Sequence, residues 1–177
     1  MTLSDDPRFT PGPDSPLSTV GRLWPSGVMS SVRQDWCTPR TVFQMLDREF
    51  HFDLDACAGS AEVATCDRYF APKDDSLAER CCWRRRVWVN PPYGRGLGDW
   101  VEKAYRSAAL GSKQLTECVV MLLPARTDTQ WFHDYCLKAE IRFLRGRLNF
   151  DDLKPSRAPF PSMVVIFRAF ESEDVPA

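Results

Sequence analysis

Apolar residues recur every three or four positions in several segments of the chain, which is the spacing of a helix with one buried face. The first such segment begins at Pro39, directly after Thr38, a residue type that caps helix N-termini. The second covers residues 97–109. A third helix is predicted to run from Asp128, as its cap, to about Lys138. These patterns predict three amphipathic helices.

Short apolar runs lie between these helices and predict strands. Residues 118–123 form a continuous apolar run, as expected of a strand covered on both faces. The other predicted strands cover residues 52–58, 87–89, 141–144 and 163–167, with a short one at 147–150. Because strands alternate with helices, we predict an α/β fold with a mostly parallel sheet and helices on both faces. The last strands are separated by a loop alone, which predicts one antiparallel strand near the sheet edge.

Chain length and composition indicate a single globular domain. The 177 residues are 44% hydrophobic and 27% charged, which are ordinary values for a folded domain. Residues 1–30 hold five of the 14 prolines and lack apolar periodicity, so we predict a flexible N-terminal arm there. The folded domain is predicted at residues 31–170, followed by a tail at residues 171–177.

The sequence carries no signal for a membrane or for export. Its apolar runs are well short of the about 20 residues that span a bilayer. Residues 1–6 lack the basic and apolar regions of a signal peptide. We therefore expect a cytoplasmic protein.

Seven cysteines raise the question of a metal site or of disulfides. Their number is odd, no Cys-x-x-Cys pair occurs, and His51 and His133 are the only histidines. In a cytoplasmic chain such cysteines are typically reduced thiols that behave as small apolar residues. We therefore expect no bound metal.

The formal net charge of −1 excludes nucleic-acid binding through overall positive charge. A local basic face could still position phosphate groups. Basic residues near the predicted strand ends are candidates for such a face: Arg84, Arg85, Arg86, Arg126, Arg142, Arg145, Arg147, Lys154 and Arg157. For any one of them, a solvated surface position is the alternative.

The most informative stretch is the loop Asn90-Pro91-Pro92-Tyr93, which follows the apolar residues 87–89. Each proline fixes its own φ and restricts the residue before it, so the flanking side chains have nearly preset directions. The Asn90 side chain and the proline carbonyls are hydrogen-bond acceptors, and prolines add no N–H donor. Tyr93 adds a flat face for a base, a contact of about 1–3 kcal/mol. The loop therefore fits a flat ring with an amino group, although a proline-rich turn with a packing tyrosine has the same sequence.

Two acidic residues lie near the end of the first predicted strand. Asp53 and Asp55 precede the small-residue loop at 56–60. In a doubly wound sheet, ligands bind beyond the carboxyl ends of the strands, so these carboxylates and Asn90 are predicted to line one crevice. Carboxylates there suit a ligand with ribose hydroxyls or positive charge. Either aspartate alone also fits a turn or a cap.

Seven sequence pieces together resemble the small phage-type DNA N6-adenine methyltransferases. The Asn-Pro-Pro-Tyr tetrad is similar to the catalytic motif of the amino-methyltransferases, which methylate adenine N6, cytosine N4 or a glutamine amide. The pieces cover about residues 35–167. They are Asp35-Trp36-x-Thr38-Pro39, Phe52-Asp53-Leu54-Asp55-x-x-Ala58, Asp75-x-Leu77, Trp88-x-Asn90-Pro91-Pro92-Tyr93, Trp100-Val101, Leu123-Pro124-Ala125-Arg126-x-Asp128-Thr129-x-Trp131-Phe132-His133, and Phe143-Leu144-x-Gly146-Arg147-Leu148-x-Phe150.

This resemblance implies a Rossmann-like methyltransferase fold, S-adenosylmethionine as the cofactor and DNA as the partner. The implied reaction is site-specific methyl transfer to adenine N6 after the base is flipped from the helix. The implied catalytic residues are Asn90, Pro91, Pro92 and Tyr93, and the implied substrate-binding residues are Tyr93, Arg126 and Arg147. The implied cofactor-binding residues are Trp36, Thr38, Pro39, Asp53, Asp55, Ala58 and Asp75. A phage or prophage enzyme of this kind would act in the cytoplasm of a bacterial host.

The tetrad leaves the substrate open. Similar motifs serve enzymes that methylate RNA adenine or protein glutamine, and a catalytically inactive nucleic-acid-binding module is an alternative of another class. The chain also departs from a familiar pattern, because Asp55-Ala56-Cys57-Ala58-Gly59 stands in place of a Phe-x-Gly-x-Gly loop. No insertion is long enough for a separate target-recognition domain, so selectivity is predicted to come from loops 93–98, 125–130 and 147–160.

Overall fold

A five-stranded sheet positions the predicted site residues. The computed structural model describes residues 37–109, 115–150 and 157–169. The strands are β1 (Leu54–Asp55), β2 (Arg85–Val89), β3 (Thr116–Pro124), β4 (Glu140–Phe143) and β5 (Ser162–Arg168). Their spatial order is β1-β2-β3-β5-β4, with parallel pairing from β1 to β3 and antiparallel pairing on both sides of β5. The predicted antiparallel strand near the edge is confirmed, because β5 lies one strand inside the edge strand β4.

In the described part of the chain, one helix precedes β1, and two lie in connections between strands. They are α1 (Arg40–Phe50), α2 (Leu97–Ala109) and α3 (Gln130–Asp134), with short 3-10 turns at Pro72–Asp74 and Cys136–Lys138. The bounds of α2 agree with the prediction, since its apolar positions keep helical spacing throughout.

Two helix ends differ from the prediction. The N-cap of α1 is Pro39, and Thr38 is not the cap, because its hydroxyl group bonds to side chains of β2 and the following loop. The N-cap of α3 is Thr129 in place of Asp128, and its C-cap is Tyr135, where φ is −124° and the helical backbone is interrupted. The predicted helix to Lys138 is therefore a short α-helix followed by a 3-10 turn.

Contacts of β5 show that helices cover both faces of the sheet. The ring of Phe167 lies 6.1 Å from that of Tyr105 in α2, and the guanidinium group of Arg168 lies 5.5 Å from the ring of Phe50 in α1. Neighbouring residues of a strand point to opposite faces. The helices α1 and α2 therefore cover opposite faces, as predicted.

The core is formed where both faces of the central strands are covered. Val87, Trp88 and Val89 of β2 are each 0% exposed, as are the consecutive residues 119–123 of β3. On α2, Ala104 and Ala108 are also fully buried, and their small side chains allow the helix to lie close to the sheet. Continuous apolar runs are expected for strands that are covered on both faces.

The first strand is shorter than the predicted residues 52–58. Only Leu54 and Asp55 belong to the ladder with β2, because the chain then enters a loop that bonds to the Asp55 side chain. Residues 147–150 make one isolated bridge, between Asn149 and Arg157, in place of a strand. The predicted arm at residues 1–30 and the tail at residues 171–177 lie outside the described residues.

One lysine fastens the loop before β2 to α2. The Lys103 ammonium group donates hydrogen bonds to the carbonyl oxygens of Ser76 (2.6 Å), Ala78 (2.8 Å) and Cys81 (2.9 Å). It also lies 5.3 Å from the centre of the Trp83 ring. Charged donors make stronger hydrogen bonds than neutral ones, so this contact fixes the loop that follows Asp75.

The described ranges contain neither a helix long and apolar enough to cross a membrane nor a group of three or more metal-ligating side chains. All seven cysteines are free thiols. Cys37 and Cys82 are exposed, whereas Cys81, Cys118 and Cys136 are buried.

Candidate active site

The proline loop and the end of β1 meet at one edge of the sheet. Asn90 directly follows Val89, the last residue of β2, and Asp55 is the last residue of β1. These strands are parallel neighbours, and the amide of Ala56 donates to the carbonyl oxygen of Trp88 at 2.9 Å. The carboxyl ends of adjacent parallel strands are where doubly wound sheets bind ligands.

A cavity of about 630 Å³ opens at this edge. That volume is within the range of small-molecule sites, about 300–1,000 Å³. Its walls combine apolar groups with a few charged ones. The lining residues are Cys37, Thr38, Arg40, Phe43, Gln44, Asp55, Cys57, Ala58, Gly59, Glu62, Val63, Ala64, Thr65, Pro72, Asn90, Pro91 and Pro92.

The side-chain amide of Asn90 connects the cavity with the interior of the protein. Asn90 is 8% exposed. Its Nδ2 donates to the Thr38 hydroxyl oxygen at 3.1 Å, on the cavity side. Its Oδ1 accepts a hydrogen bond from the Tyr93 hydroxyl group at 2.9 Å. Two prolines set the direction of the loop, and these two bonds hold the plane of the amide.

Tyr93 lies behind Asn90 in an aromatic cluster. Its ring is 4% exposed and meets Phe150 and Phe160 at steep angles, with centroid distances of 6.1 and 5.5 Å. The hydroxyl group has a second acceptor, the Leu122 carbonyl oxygen at 3.1 Å. Burial raises the pKa of Tyr93 well above its ordinary value, so the hydroxyl group keeps its proton. In this conformation the ring has no open face for stacking.

Asp55 lines the cavity and organises the loop after β1. Its Oδ1 accepts from the amide of Cys57 at 3.1 Å. Its Oδ2 accepts from the amide and the hydroxyl group of Thr65, at 3.0 and 2.8 Å. Asp55 is 3% exposed, and these three hydrogen bonds compensate the charge that burial would otherwise leave unsatisfied. Ala58 follows on the same loop, and its amide donates to the carbonyl oxygen of Phe70.

The structure separates Asp53 from this cavity. The Asp53 carboxylate lies 2.8 Å from Nε of Arg86 and 3.4 Å from Nε of Arg85, at the amino end of β2. The hydrogen bond from Arg86 lowers the pKa of Asp53, against the opposing effect of partial burial. Asp53 precedes a strand of only two residues, so it faces the opposite end of the sheet from Asn90.

The remaining predicted cofactor residues have different positions. Pro39 is buried at the start of α1 and is absent from the cavity lining. Asp75 is exposed, with a left-handed backbone (φ 51°) after the turn at Pro72–Asp74, and the lining includes Pro72 but not Asp75. Trp36 lies outside the described residues.

Two cysteines beside Asp55 are poor nucleophiles. Burial, and then the negative charge of Asp55, raise the pKa of Cys57 to about 12. The same two causes raise the pKa of Cys66 to about 12. Since the thiolate is the reactive form, both groups stay protonated at neutral pH and carry no nucleophilic chemistry.

Arginines differ between the two ends of the sheet. Arg126 follows β3, and Arg147 follows β4, which runs in the same direction as β3, so both lie at the edge that carries Asn90. The loops at this edge also contain Arg95, Arg145 and Arg157. Among the described residues, none of these five has an ion-pair partner. We call them the arginine rim.

Several arginines at the opposite end have acidic partners. Arg86 is paired with Asp53, and Arg168 with Glu140. Arg142 is paired with Glu49 at 2.6 Å and with Glu140 at 2.6 Å. Arg85, Arg86 and Arg142, which were candidates for phosphate contact, therefore have acidic partners, whereas the candidate Arg84 is exposed and has no ion pair among the described residues.

Several cavity residues were not found from the sequence. Arg40 had a weak signal, since a basic residue in the first turn of a helix opposes the helix dipole. Glu62 and Thr65 lie in the segment whose secondary structure had no clear pattern. Thr65 is ten residues from Asp55, and no local rule links two residues at that distance.

Comparison with known proteins shows the family of this chain. The sequence profile of the DNA N-6-adenine-methyltransferase (Dam) family matches residues 25–176. A protein named DNA N-6-adenine-methyltransferase, from Escherichia phage T1, is 32% identical to this chain over 103 residues. The aligned region covers 58% of this chain and 40% of the phage T1 protein, so the chain spans less than half the length of that relative. Because the family profile covers most of its length, the chain belongs to the DNA N-6-adenine-methyltransferase (Dam) family.

Proposed function

We propose that this chain transfers a methyl group from S-adenosylmethionine to the N6 amino group of adenine in DNA. The observation that carries the proposal is the position of the Asn90 amide. It lies between a cavity of cofactor size and the aromatic cluster around Tyr93, and it bonds to a residue on each side. Family membership supports the same reaction. On this proposal the sheet is a Rossmann-like methyltransferase sheet with β5 as its reversed strand.

The cavity walls fit S-adenosylmethionine. Phe43, Val63 and Pro72 provide apolar surface for an adenine ring. Arg40 suits a carboxylate, and Glu62 suits an ammonium or sulfonium group. Of the residues predicted from the sequence, Thr38, Asp55 and Ala58 are retained as cofactor-binding residues. When bound, this cofactor supplies an electrophilic methyl group.

Asn90 and Pro91 are proposed to hold the amino group that receives the methyl. Their Oδ1 and carbonyl oxygen accept the two N6 hydrogens, which favours a more tetrahedral nitrogen and stabilises the positive charge that develops on it. The lone pair then points toward the cavity, where alignment lowers the barrier further. No strong base is needed, because the methylated nitrogen is acidic enough to lose its proton to solvent.

Base entry requires a rearrangement behind the tetrad. An adenine paired within a duplex is inaccessible, so the base is flipped out before reaction. Stacking on Tyr93 then requires Phe150 and Phe160 to uncover its ring. The Tyr93 hydroxyl group keeps a hydrogen-bond acceptor during this change, because the Leu122 carbonyl oxygen is within 3.1 Å.

The arginine rim is proposed to contact the DNA backbone. It surrounds the edge that carries the cavity, and its charges have no acidic partners among the described residues. It includes Arg126 and Arg147, the two arginines that the sequence predicted to bind substrate. Backbone contacts of this kind hold the duplex in register without reading its sequence. The DNA substrate also puts the reaction in the cytoplasm of a bacterial host.

The proposal is tested by supplying labelled S-adenosylmethionine with unmethylated plasmid DNA, RNA and protein in parallel. We expect label in DNA alone, and N6-methyladenine after digestion of the DNA to nucleosides. Asn90→Ala is expected to lower kcat by about 10²–10³, the usual effect of removing one group that stabilises developing charge. The same variant is expected to bind S-adenosylhomocysteine with unchanged affinity by calorimetry.

Other outcomes contradict parts of the proposal. Label in RNA or in a protein glutamine moves the enzyme to another substrate. Full activity of Asn90→Ala excludes the amide as the acceptor. Failure of the wild-type protein to bind S-adenosylmethionine would support a nucleic-acid-binding module without catalysis.

A further inference from the structure

The hydroxyl group of Thr38 makes two hydrogen bonds to side chains outside α1. Its hydroxyl oxygen accepts from Nε1 of Trp88 at 3.4 Å and from Nδ2 of Asn90 at 3.1 Å. Trp88 and Asn90 are two residues apart, so both side chains emerge on the same face and reach the same oxygen. An indole N–H and an amide NH₂ group can only donate, so Thr38 must be the acceptor in both bonds.

The hydroxyl hydrogen of Thr38 is therefore available to a ligand. A hydroxyl oxygen has two lone pairs, and the two donors occupy both of them. No side chain or backbone group of the described residues accepts the remaining hydrogen. Thr38 lines the cavity, so an acceptor oxygen of a bound molecule can take this hydrogen.

The Asn90 amide has a second orientation in which it still bonds to both Thr38 and Tyr93. Oxygen and nitrogen of a side-chain amide have nearly the same shape, so the group can rotate by half a turn in place. The reversed oxygen would accept from the Thr38 hydroxyl group, and the reversed nitrogen would donate to Tyr93. Tyr93 would then donate to the Leu122 carbonyl oxygen, which lies 3.1 Å away.

Only one orientation accepts an amine. In the orientation described here, Oδ1 faces Tyr93 and can exchange its hydrogen bond for one from the substrate. In the reversed orientation, an NH₂ group would face the substrate NH₂ group, and two donors do not bond. An acceptor in the cavity that takes the Thr38 hydrogen removes the reversed state, because Thr38 can then only accept.

We propose that Thr38 is a positioning residue whose hydroxyl group sets the Asn90 amide for the substrate amine, and that the bound cofactor enforces this orientation by accepting the Thr38 hydrogen. The inference rests on the proposed function. It makes the cofactor a condition for amine binding as well as the source of the methyl group. The device needs no backbone movement, because a single hydroxyl group connects the two ligands.

The test uses three variants in steady-state kinetics with S-adenosylmethionine and unmethylated plasmid DNA. Thr38→Val removes the hydroxyl group at nearly constant volume, and Thr38→Ser retains it. Thr41→Val is the matched control, because Thr41 is an exposed threonine in the first turn of α1, close to Thr38 in the chain. Thr38→Ala gives the same comparison if Thr38→Val unfolds.

We expect Thr38→Val to lower kcat by about tenfold or more with both substrates saturating. The KM for S-adenosylmethionine, and the Kd for S-adenosylhomocysteine measured by calorimetry, are expected to rise by a smaller factor. Thr38→Ser is expected to keep kcat within about threefold of the wild type. Thr41→Val is expected to have the kcat of the wild type. A residue that only binds cofactor would change KM and leave kcat unaffected, which would overturn the inference. Equal activity of Thr38→Val and the wild type would also overturn the inference. An inactive wild type would overturn the proposed function together with the inference.

Discussion

The backbone of Asn90 and the plane of its side-chain amide both have little conformational freedom. The two following prolines restrict its backbone, and Thr38 and Tyr93 fix the two atoms of its amide. The residue is 8% exposed, so an unmet donor or acceptor would cost about 1–3 kcal/mol. The backbone of Asn90 and the plane of its amide are therefore set before a substrate arrives. Methyl transfer to an amine is faster when the groups that stabilise the developing charge are already in place.

Cys37 provides a direct test of the cavity at the residue scale. It is exposed and lines the cavity, whereas the equally exposed Cys82 lies outside it. We expect S-adenosylhomocysteine to slow alkylation of Cys37 by iodoacetamide by about tenfold or more, because a bound ligand covers the thiol. Peptide mass spectrometry over a time course measures both rates in one sample.

Cys82 and Cys57 are internal controls for this measurement. The alkylation rate of Cys82 is expected to stay constant, and Cys57 is expected to stay unmodified at pH 8 because burial raises its pKa to about 12. Equal protection of Cys37 and Cys82 would indicate a change throughout the protein. Unchanged alkylation of Cys37 at saturating ligand would exclude this cavity as the cofactor site.

At the scale of elements, the length of β1 separates two aspartates that the sequence pattern grouped together. The ladder with β2 contains only Leu54 and Asp55. Asp55 therefore lies at the carboxyl edge of the sheet, and Asp53 lies beside the first residues of β2. Asp53 fastens the start of one strand to the next, and Asp55 shapes the loop that faces the ligand.

Asp53 is expected to stabilise the protein in a pH-dependent way. Its pKa is lowered below the ordinary value of 3.8, chiefly by the hydrogen bond from Arg86. A carboxylate with a lowered pKa contributes stability above its ordinary pKa, and this is lost as pH falls through the lowered value. Asp53→Asn is expected to reduce the free energy of unfolding by about 1 kcal/mol at pH 7, and by much less near pH 2.

Urea denaturation of both proteins at a series of pH values measures this difference. Asp67→Asn is the matched control, because Asp67 is exposed and has no hydrogen bond or ion pair among the described residues. A destabilisation by Asp53→Asn that is constant between pH 7 and pH 2 would show that its charge is not the cause.

At the scale of the whole molecule, the net charge of −1 conceals an asymmetric distribution. Arg86 at the amino end of β2 and Arg142 on β4 have acidic partners within 2.8 Å. The arginine rim, at the opposite end, has no acidic partner within the part of the chain that the structure describes. The edge with the arginine rim can therefore attract a polyanion, although the protein as a whole is nearly neutral. The rim arginines surround the cavity, which must face the DNA in the proposed reaction.

The arginine rim is expected to determine how DNA affinity depends on salt. Each phosphate contact that is lost lowers the slope of log affinity against log salt by about 1. We expect Arg126→Ala and Arg147→Ala each to weaken binding to duplex DNA and to reduce this slope by about 1. Fluorescence anisotropy with a labelled duplex at several NaCl concentrations measures both quantities.

Arg106→Ala is the control for the rim. Arg106 is an exposed arginine of α2 that pairs with Glu102 at 2.6 Å. Its replacement is expected to leave the salt slope unchanged. If all three variants weaken binding equally, or if neither rim variant changes the slope, the rim is not the phosphate-contacting surface.

How well the sequence predicted a feature depends on how far apart along the chain the interacting residues lie. Residues 97–109 were predicted as a helix with the bounds that α2 has, because its pattern depends on neighbours three and four residues apart. The α3 helix was predicted too long, because nothing local marks the interruption at Tyr135. The family pieces identified the tetrad, and the position of Asn90 at a strand end followed from the apolar residues before it.

The sequence by itself determined the strand and helix types, the rigid acceptor loop at Asn90 and the family, because each depends on residues that are close along the chain. Only the tertiary structure decided which side chains meet. It joined Thr38 to Asn90 across 52 residues, paired Asp53 with Arg86 across 33, and left the rim arginines without acidic partners among the described residues. Contacts at such separations depend on strand order and register, which residue spacing does not encode.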